Sequence, residues 1–192
     1  MSRKRIVLGI SGASGASIGV RVAELLGAAG EIETHLVVSA AAEQTLAHEV
    51  GDEALRKLES AVGCRHQVGN LGAAIASGSF RTSGMIIAPC SMRTVSAIAG
   101  GIADNLLVRA ADVHLKERRR LVLVVRETPL HLGHLRALAT VTELGAIVVP
   151  AVPAFYLRPS SVADVIDQIA CRAIDLLSLD SSAMAQTWNG LG

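Results

Sequence analysis

Arg126-Glu127 is the dipeptide in this sequence best equipped for chemistry. It sets a fixed cation beside a carboxylate, directly after Leu121-Val122-Leu123-Val124-Val125 and before Thr128-Pro129. An apolar, β-branched run of that length reads as a buried strand. In open α/β sheets, ligands bind beyond the carboxyl ends of the strands. The pair can therefore hold an anion and move a proton. Gly12-Ala13-Ser14-Gly15 has a related placement, after the apolar run that ends at Ile10. Its small residues let backbone amides approach an anion, and the next helix adds its positive end. The next glycine is Gly19 and no Walker lysine follows, so the stretch is neither a dinucleotide fingerprint nor an ATP loop. A mononucleotide or a small phosphate fits it better, and a plain tight turn is the bland alternative.

Ala88-Pro89-Cys90-Ser91-Met92-Arg93-Thr94 also runs from a strand end into a helix start. Ser91 and Thr94 offer hydroxyls there. Cys90 invites comparison with a nucleophile, but a lone cysteine is more commonly a buried, inert side chain. Arg109 and Lys116 are seven residues apart and share one helix face, and Arg172 lies on the last helix. The bland reading pairs Asp112 with Lys116 at i,i+4 and leaves Arg118-Arg119-Arg120 as a solvated helix end. Pro153-Ala154-Phe155-Tyr156-Leu157-Arg158-Pro159 is a proline-stiffened loop. It either covers a ligand, with Tyr156 donating a hydrogen bond, or simply anchors itself. The six histidines form no His-x-x-x-His or His-Glu-x-x-His pattern, and the three cysteines show no ligand spacing, so no metal is expected.

The elements that must position these residues alternate. Strands are predicted over 5–10, 32–38, 85–88 (stopped by Pro89), 121–125 and 146–149. Helices are predicted over 16–29, from a Ser39 cap to about 49, over 52–62, from Cys90 or Ser91, and over 104–119, 131–143 and 161–178. Residues 63–84 read as glycine-rich and irregular. Such alternation implies βαβ units, a mostly parallel sheet and right-handed crossovers. With 192 residues and no linker, the chain reads as one domain over 1–180 followed by a tail over 181–192.

Composition narrows the function. The net charge of +1 argues against a broad nucleic-acid surface. No apolar run reaches the ~18 residues of a membrane span, and the run after Arg3-Lys4-Arg5 is strand-length, so neither a membrane segment nor a signal peptide is expected. Three cysteines without a disulfide framework suit the cytoplasm. Hydrophobic residues make up 51% of the chain but aromatic ones only 2%. An aromatic ligand would thus be held by aliphatic side chains and backbone, unless Phe80 or Trp188 folds over it.

Together these stretches resemble the UbiX-type flavin prenyltransferases, long described as aromatic-acid decarboxylases. The resemblance is carried, in order, by Gly9-Ile10-Ser11-Gly12-Ala13-Ser14-Gly15, Ala76-Ser77-Gly78-Ser79-Phe80 and Ala88-Pro89-Cys90-Ser91-Met92. It continues through the stretch from Asp104 to Leu130, then Pro153-Ala154-Phe155-Tyr156 and Arg172. It implies a flavodoxin-like, Rossmann-type three-layer sandwich that binds FMN. It implies transfer of a dimethylallyl group from dimethylallyl phosphate to N5 and C6 of reduced FMN, without a metal. The product would serve a UbiD-type decarboxylase. A homo-oligomer, such as a dodecamer, with sites at subunit interfaces is also implied. By position, Gly12, Ala13, Ser14, Ser39, Ser91, Met92, Arg93, Thr94 and Arg126 would contact FMN. Arg109, Lys116, Arg126, Tyr156 and Arg172 would surround the dimethylallyl phosphate. Glu127 would transfer the proton, with Ser14, Glu49 and Lys116 completing the catalytic set. The alternatives are a flavin-dependent cysteine decarboxylase relative and a non-catalytic accessory subunit of a hydroxyarylic-acid decarboxylase.

Overall fold

The computed structural model describes residues 3–179, 183–188 and 190. Six strands form one sheet: β1 (Lys4–Ile10), β2 (Ile32–Val38), β3 (Cys64–His66), β4 (Gly84–Cys90), β5 (Leu121–Val125) and β6 (Ile147–Pro150). Their order is β3-β2-β1-β4-β5-β6, and every pairing is parallel. This is the doubly wound order of Rossmann-type sheets, and the sheet is wholly rather than mostly parallel. Its central strands are buried on both faces, which is why they read as unbroken apolar runs.

Helices cover both faces. One apolar layer joins the sheet to α1 (Ala16–Ala28), α2 (Ala40–Glu49), α3 (Ala54–Ala61) and α7 (Val162–Asp175). The other joins it to α4 (Met92–Ala99), α5 (Leu106–Lys116) and α6 (Leu132–Glu143). The expected three-layer sandwich is therefore present. Ser39, Ser91, Asn105 and Ser161 cap α2, α4, α5 and α7 with their side chains, and Asp164 completes a capping box at α7.

Three expectations change. Residues 64–66 are not irregular but form β3, an edge strand too short to show periodicity. The strand expected to stop at Ala88 runs through Pro89 to Cys90, and the β4–β5 register shifts between Ile87 and Cys90. An irregularity there lets the sheet accommodate a residue with no N–H to donate. Arg118 and Arg120 are exposed just past the end of α5, as a solvated helix end requires, but Arg119 is not. Arg118 turns the chain with φ +56°. The Arg119 side chain is only 15% exposed and donates to the carbonyls of Phe80 and Gly78. The domain boundary expected at 180/181 falls outside the described residues. Beyond it, the amides of Met184 and Ala185 donate to Asp175 and that of Gln186 donates to Gln168, so this stretch runs back along α7. Among the described residues, no helix is long and apolar enough to cross a membrane.

Candidate functional site

The strand order reverses between β1 and β4, and the segments leaving these two strands meet there. Ser11, which the sequence did not single out, joins them. Its buried hydroxyl donates to the Pro89 carbonyl at 3.1 Å and accepts from the Ser91 amide at 2.8 Å. The Ser11 amide also donates to the Pro89 carbonyl, at 3.2 Å. The irregularity in β4 thus presents Pro89 to the first loop. Two glycines permit the close approach. A Cβ on Gly12 would lie 2.5 Å from the Cβ of Ala41 on α2, and one on Gly19 would lie 2.3 Å from the Ala88 carbonyl oxygen. Gly19 lets α1 lie against the sheet, the task of the third glycine in dinucleotide folds.

The first loop does not offer the positive end of α1 as expected. The Glu49 carboxylate, arriving from the end of α2, accepts from the amides of Gly15 and Ala16, both at 2.9 Å. Partial burial pushes the Glu49 carboxyl up. Hydrogen bonds from the Ser14 hydroxyl and those two amides, with the charge of Arg126 nearby, outweigh that and hold it below the usual carboxylate range. Glu49, Ser14 and Arg126 therefore belong to one cluster. The Arg126 side chain has no hydrogen-bond partner among the described residues, so its donors remain available. Glu127 follows on the exposed rim, where its Oε1 accepts from the Thr128 amide at 3.1 Å.

The other phosphate-class donors are the starts of α2 and α4. Ser39 accepts from the Ala42 amide, and Ser91 from the Thr94 amide. Within 91–94 the side chains are largely committed. Met92 and Thr94 are buried, and Arg93 pairs with Asp104 at 2.5 Å. Of the backbone amides of this turn, those of Ser91 and Thr94 are taken by the Ser11 and Ser91 hydroxyls, and those of Met92 and Arg93 have no partner among the described residues. Cys90 is fully buried, and burial pushes its thiol up, so it is inert packing rather than a nucleophile.

Not every expected residue converges. Lys116 ends α5 just before the amino end of β5, whereas Arg126 and Glu127 follow its carboxyl end. The five residues between those ends span about 16 Å at ~3.3 Å per residue. Lys116 pairs with Glu117 rather than Asp112. Asp112 instead holds Arg109, which also donates to the Ala76 carbonyl. Arg172 lies exposed in the last turn of α7, whose end reaches the amino end of β4, where Leu177 packs against Gly84. Tyr156 is 54% exposed beyond β6 and packs edge-on against Trp188, ring centroids 5.3 Å apart. Phe80 is spent elsewhere, edge-on to His35 and beneath Arg5. A cavity of about 820 Å³ lies between α1, α7 and residues 154–159, but neither Arg126 nor Glu127 lines it. One chain thus gathers Ser14, Glu49 and Arg126 at the switch point and leaves Lys116 and Arg172 toward the other end of the sheet.

Known proteins resemble this chain along nearly all of its length. The flavoprotein family model matches residues 1–175. The flavin prenyltransferase UbiX of Thauera aromatica is 51% identical over 186 residues, covering 97% of this chain and 94% of that one. The enzyme of the same name from Escherichia coli K12 is 53% identical over 176 residues, covering 92% and 93%. Among solved structures, AnUbiX (PadA1) in complex with FMN and dimethylallyl pyrophosphate superposes with a TM-score of 0.92 at 45% identity, covering 99% of this chain and all of that one. A dodecameric FMN-dependent UbiX-like decarboxylase from Escherichia coli O157:H7 also gives 0.92, at 40% identity and 97% coverage of this chain. With its Rossmann-type sheet and its Arg126, Glu127 and Glu49 at the switch point, the chain belongs to the flavoprotein family and, within it, to the UbiX flavin prenyltransferases.

Proposed function

We propose that this protein is a metal-independent flavin prenyltransferase that moves the dimethylallyl group of dimethylallyl phosphate onto N5 and C6 of reduced FMN. The observation that carries the reading is the joint placement of Arg126, Glu127 and Glu49 at the switch-point end of the sheet in a chain of this family. The residue types gathered at this strand end suit FMN. Small residues, Gly12 to Ser14, and two serine-capped helix starts lie beside an arginine with free donors. Reduced FMN, when bound, supplies the nucleophilic ring positions. The protein's own residues do the rest.

Arg126 binds phosphate at the strand end, with the starts of α2 and α4 adding amide dipoles. Because Glu49 already fills the start of α1, the anion belongs beside the starts of α2 and α4 and Arg126. Gly12, Ala13, Ser14, Ser39 and residues 91–94 line the flavin, the last mainly through backbone. Arg109, Lys116, Tyr156 and Arg172 hold the prenyl phosphate. Each charge-assisted hydrogen bond to the departing phosphate contributes about 1.5–3 kcal/mol, enough in combination to dispense with a metal. Glu127, exposed on the rim, takes the ring proton or delivers one to the phosphate. Glu49, held ionised by Ser14 and the α1 amides, keeps a fixed negative charge beside Arg126.

Lys116 and Arg172 lie toward the other end of the sheet from Glu127, which supports a homo-oligomer whose sites combine faces of different copies. A dodecamer, the form named for the Escherichia coli O157:H7 relative, is the assembly we favour. The product serves a UbiD-type decarboxylase, and the free thiols of Cys64, Cys90 and Cys171 fit a cytoplasmic setting. The test is incubation of purified protein with reduced FMN and dimethylallyl phosphate. Mass spectrometry should find the flavin heavier by one dimethylallyl unit. Recovery of unmodified flavin alone, from protein shown to have bound it, would sink the reading.

A further inference from the structure

We propose that His35, Cys64 and His66 form a binding site for a borderline-soft divalent ion, zinc foremost, at the β2–β3 edge of the sheet. This site is separate from the switch-point residues and does not depend on the prenyl-transfer reading. In sequence the three residues match no metal pattern. Strand register brings them together: Cys64 lies opposite His35, and His66 opposite Val37. Residues two apart on a strand share a face. Cys64 and His66 therefore join His35 on one side, and Arg65 points to the other, toward Glu43 and Glu59. Among the described residues, this is the one His/Cys/Asp/Glu cluster able to hold an ion.

The spacing is close to that of a filled site. All three ligand atoms lie within 4.8 Å of one another. His35 Nδ1 is 2.9 Å from His66 Nε2, and Cys64 Sγ is 3.7 Å from the same nitrogen. A tetrahedral zinc with Zn–N near 2.05 Å and Zn–S near 2.3 Å sets two nitrogens roughly 3.4 Å apart, and nitrogen and sulfur roughly 3.6 Å apart. The sulfur already stands at the right distance from His66 Nε2, and the imidazoles need to part by about 0.5 Å. One thiolate and two imidazoles suit zinc better than magnesium or calcium, which prefer oxygen. Three protein ligands leave a fourth position for water.

The outer contacts fit as well. His35 Nε2 is buried without a hydrogen-bond partner, and Glu33 Oε1 stands 3.3 Å away, in ion-pair range but poorly aligned. With Nδ1 on the ion, the ring proton sits on Nε2, 3.3 Å from Glu33 Oε1, and the shift that parts the imidazoles has to align the two. That is the carboxylate–histidine–metal arrangement that orients ligand histidines. Arg5 Nε donates to Glu33 at 3.1 Å and fixes the carboxylate in turn. Phe80 closes one side, edge-on to His35 at 5.2 Å between ring centroids. The competing account is a plain hydrogen bond between the two histidines, in which Cys64 has no part.

The test strips the full-length protein with a chelator and titrates it with cobalt(II), then zinc. We expect one ion per chain, a thiolate-to-cobalt charge-transfer band in the near ultraviolet, and the intense visible bands of tetrahedral cobalt, all displaced by zinc. Cys64→Ser should remove the charge-transfer band and weaken zinc by about 100-fold or more, and Glu33→Gln should weaken it about 10–100-fold. The proposal is overturned if wild-type protein takes up neither ion, if the cobalt spectrum lacks the thiolate band, or if Cys64→Ser binds zinc as tightly as wild type. The wild-type spectrum decides the matter even if Cys64→Ser fails to fold.

Discussion

Glu127 and Ser11 have opposite tasks at one strand end. Glu127 is exposed and, among the described residues, bound only to its neighbour's amide, so its carboxylate is free to meet a substrate. Glu127→Gln should bind FMN normally and lose about 10²–10⁴-fold in prenyl transfer, the usual worth of a positioned acid or base. Calorimetry and the flavin mass check both halves of that outcome, and an unimpaired variant would remove Glu127 from the reaction. Ser11 is buried and structural. Ser11→Ala deprives the Ser91 amide of its acceptor, which costs about 1–3 kcal/mol. Urea denaturation should register that loss, and FMN affinity should fall with it as the two loops part. Arg126-Glu127 was legible from the sequence because a strand end is recognisable from a few apolar residues. Ser11 was not, because its importance depends on Pro89, far away along the chain.

At the scale of elements, α5 is tied to the segment before β4 by one neutral histidine. His114 Nδ1 donates to the Ala110 carbonyl at 2.7 Å, which leaves Nε2 to accept from the Thr82 hydroxyl at 2.8 Å. Burial is the main cause that pushes its pKa down to about 4. A folded pKa below the unfolded value means that protons bind the unfolded chain more readily. This contribution is therefore complete above about pH 6.5 and is lost as pH falls toward about 4, with a ceiling of about 3 kcal/mol. Chemical denaturation across that range should show the decline, and His114→Gln should flatten it. An equal slope in the variant would assign the pH dependence to other groups. The helices and central strands were readable from periodicity and caps. Arg119 and β3 were missed for a shared reason. Each depends on a partner distant in sequence: the carbonyls of residues 78–80 for Arg119, and the edge of β2 for β3.

The whole molecule raises the question of how one site gathers its cations. Lys116 and Glu127 flank β5 at opposite ends, so a site that uses both draws them from different copies. Lys116→Ala and Glu127→Gln chains should each be inactive alone and recover part of the activity when refolded together. Mixed oligomers, verified by native mass spectrometry, that stay inactive would place the whole site within one chain. The sequence by itself determined the strand–helix alternation, the three-layer class, the family and the placement of Arg126-Glu127 at a strand end, because these rest on local pattern and ordered motifs. Tertiary structure alone decided that Glu49 fills the start of α1, that Ser11 joins the switch-point loops, and that the phosphate-class cations part company. It also brought His35, Cys64 and His66 together. Each of these depends on which strands become neighbours and in what register, and local sequence pattern does not encode that choice.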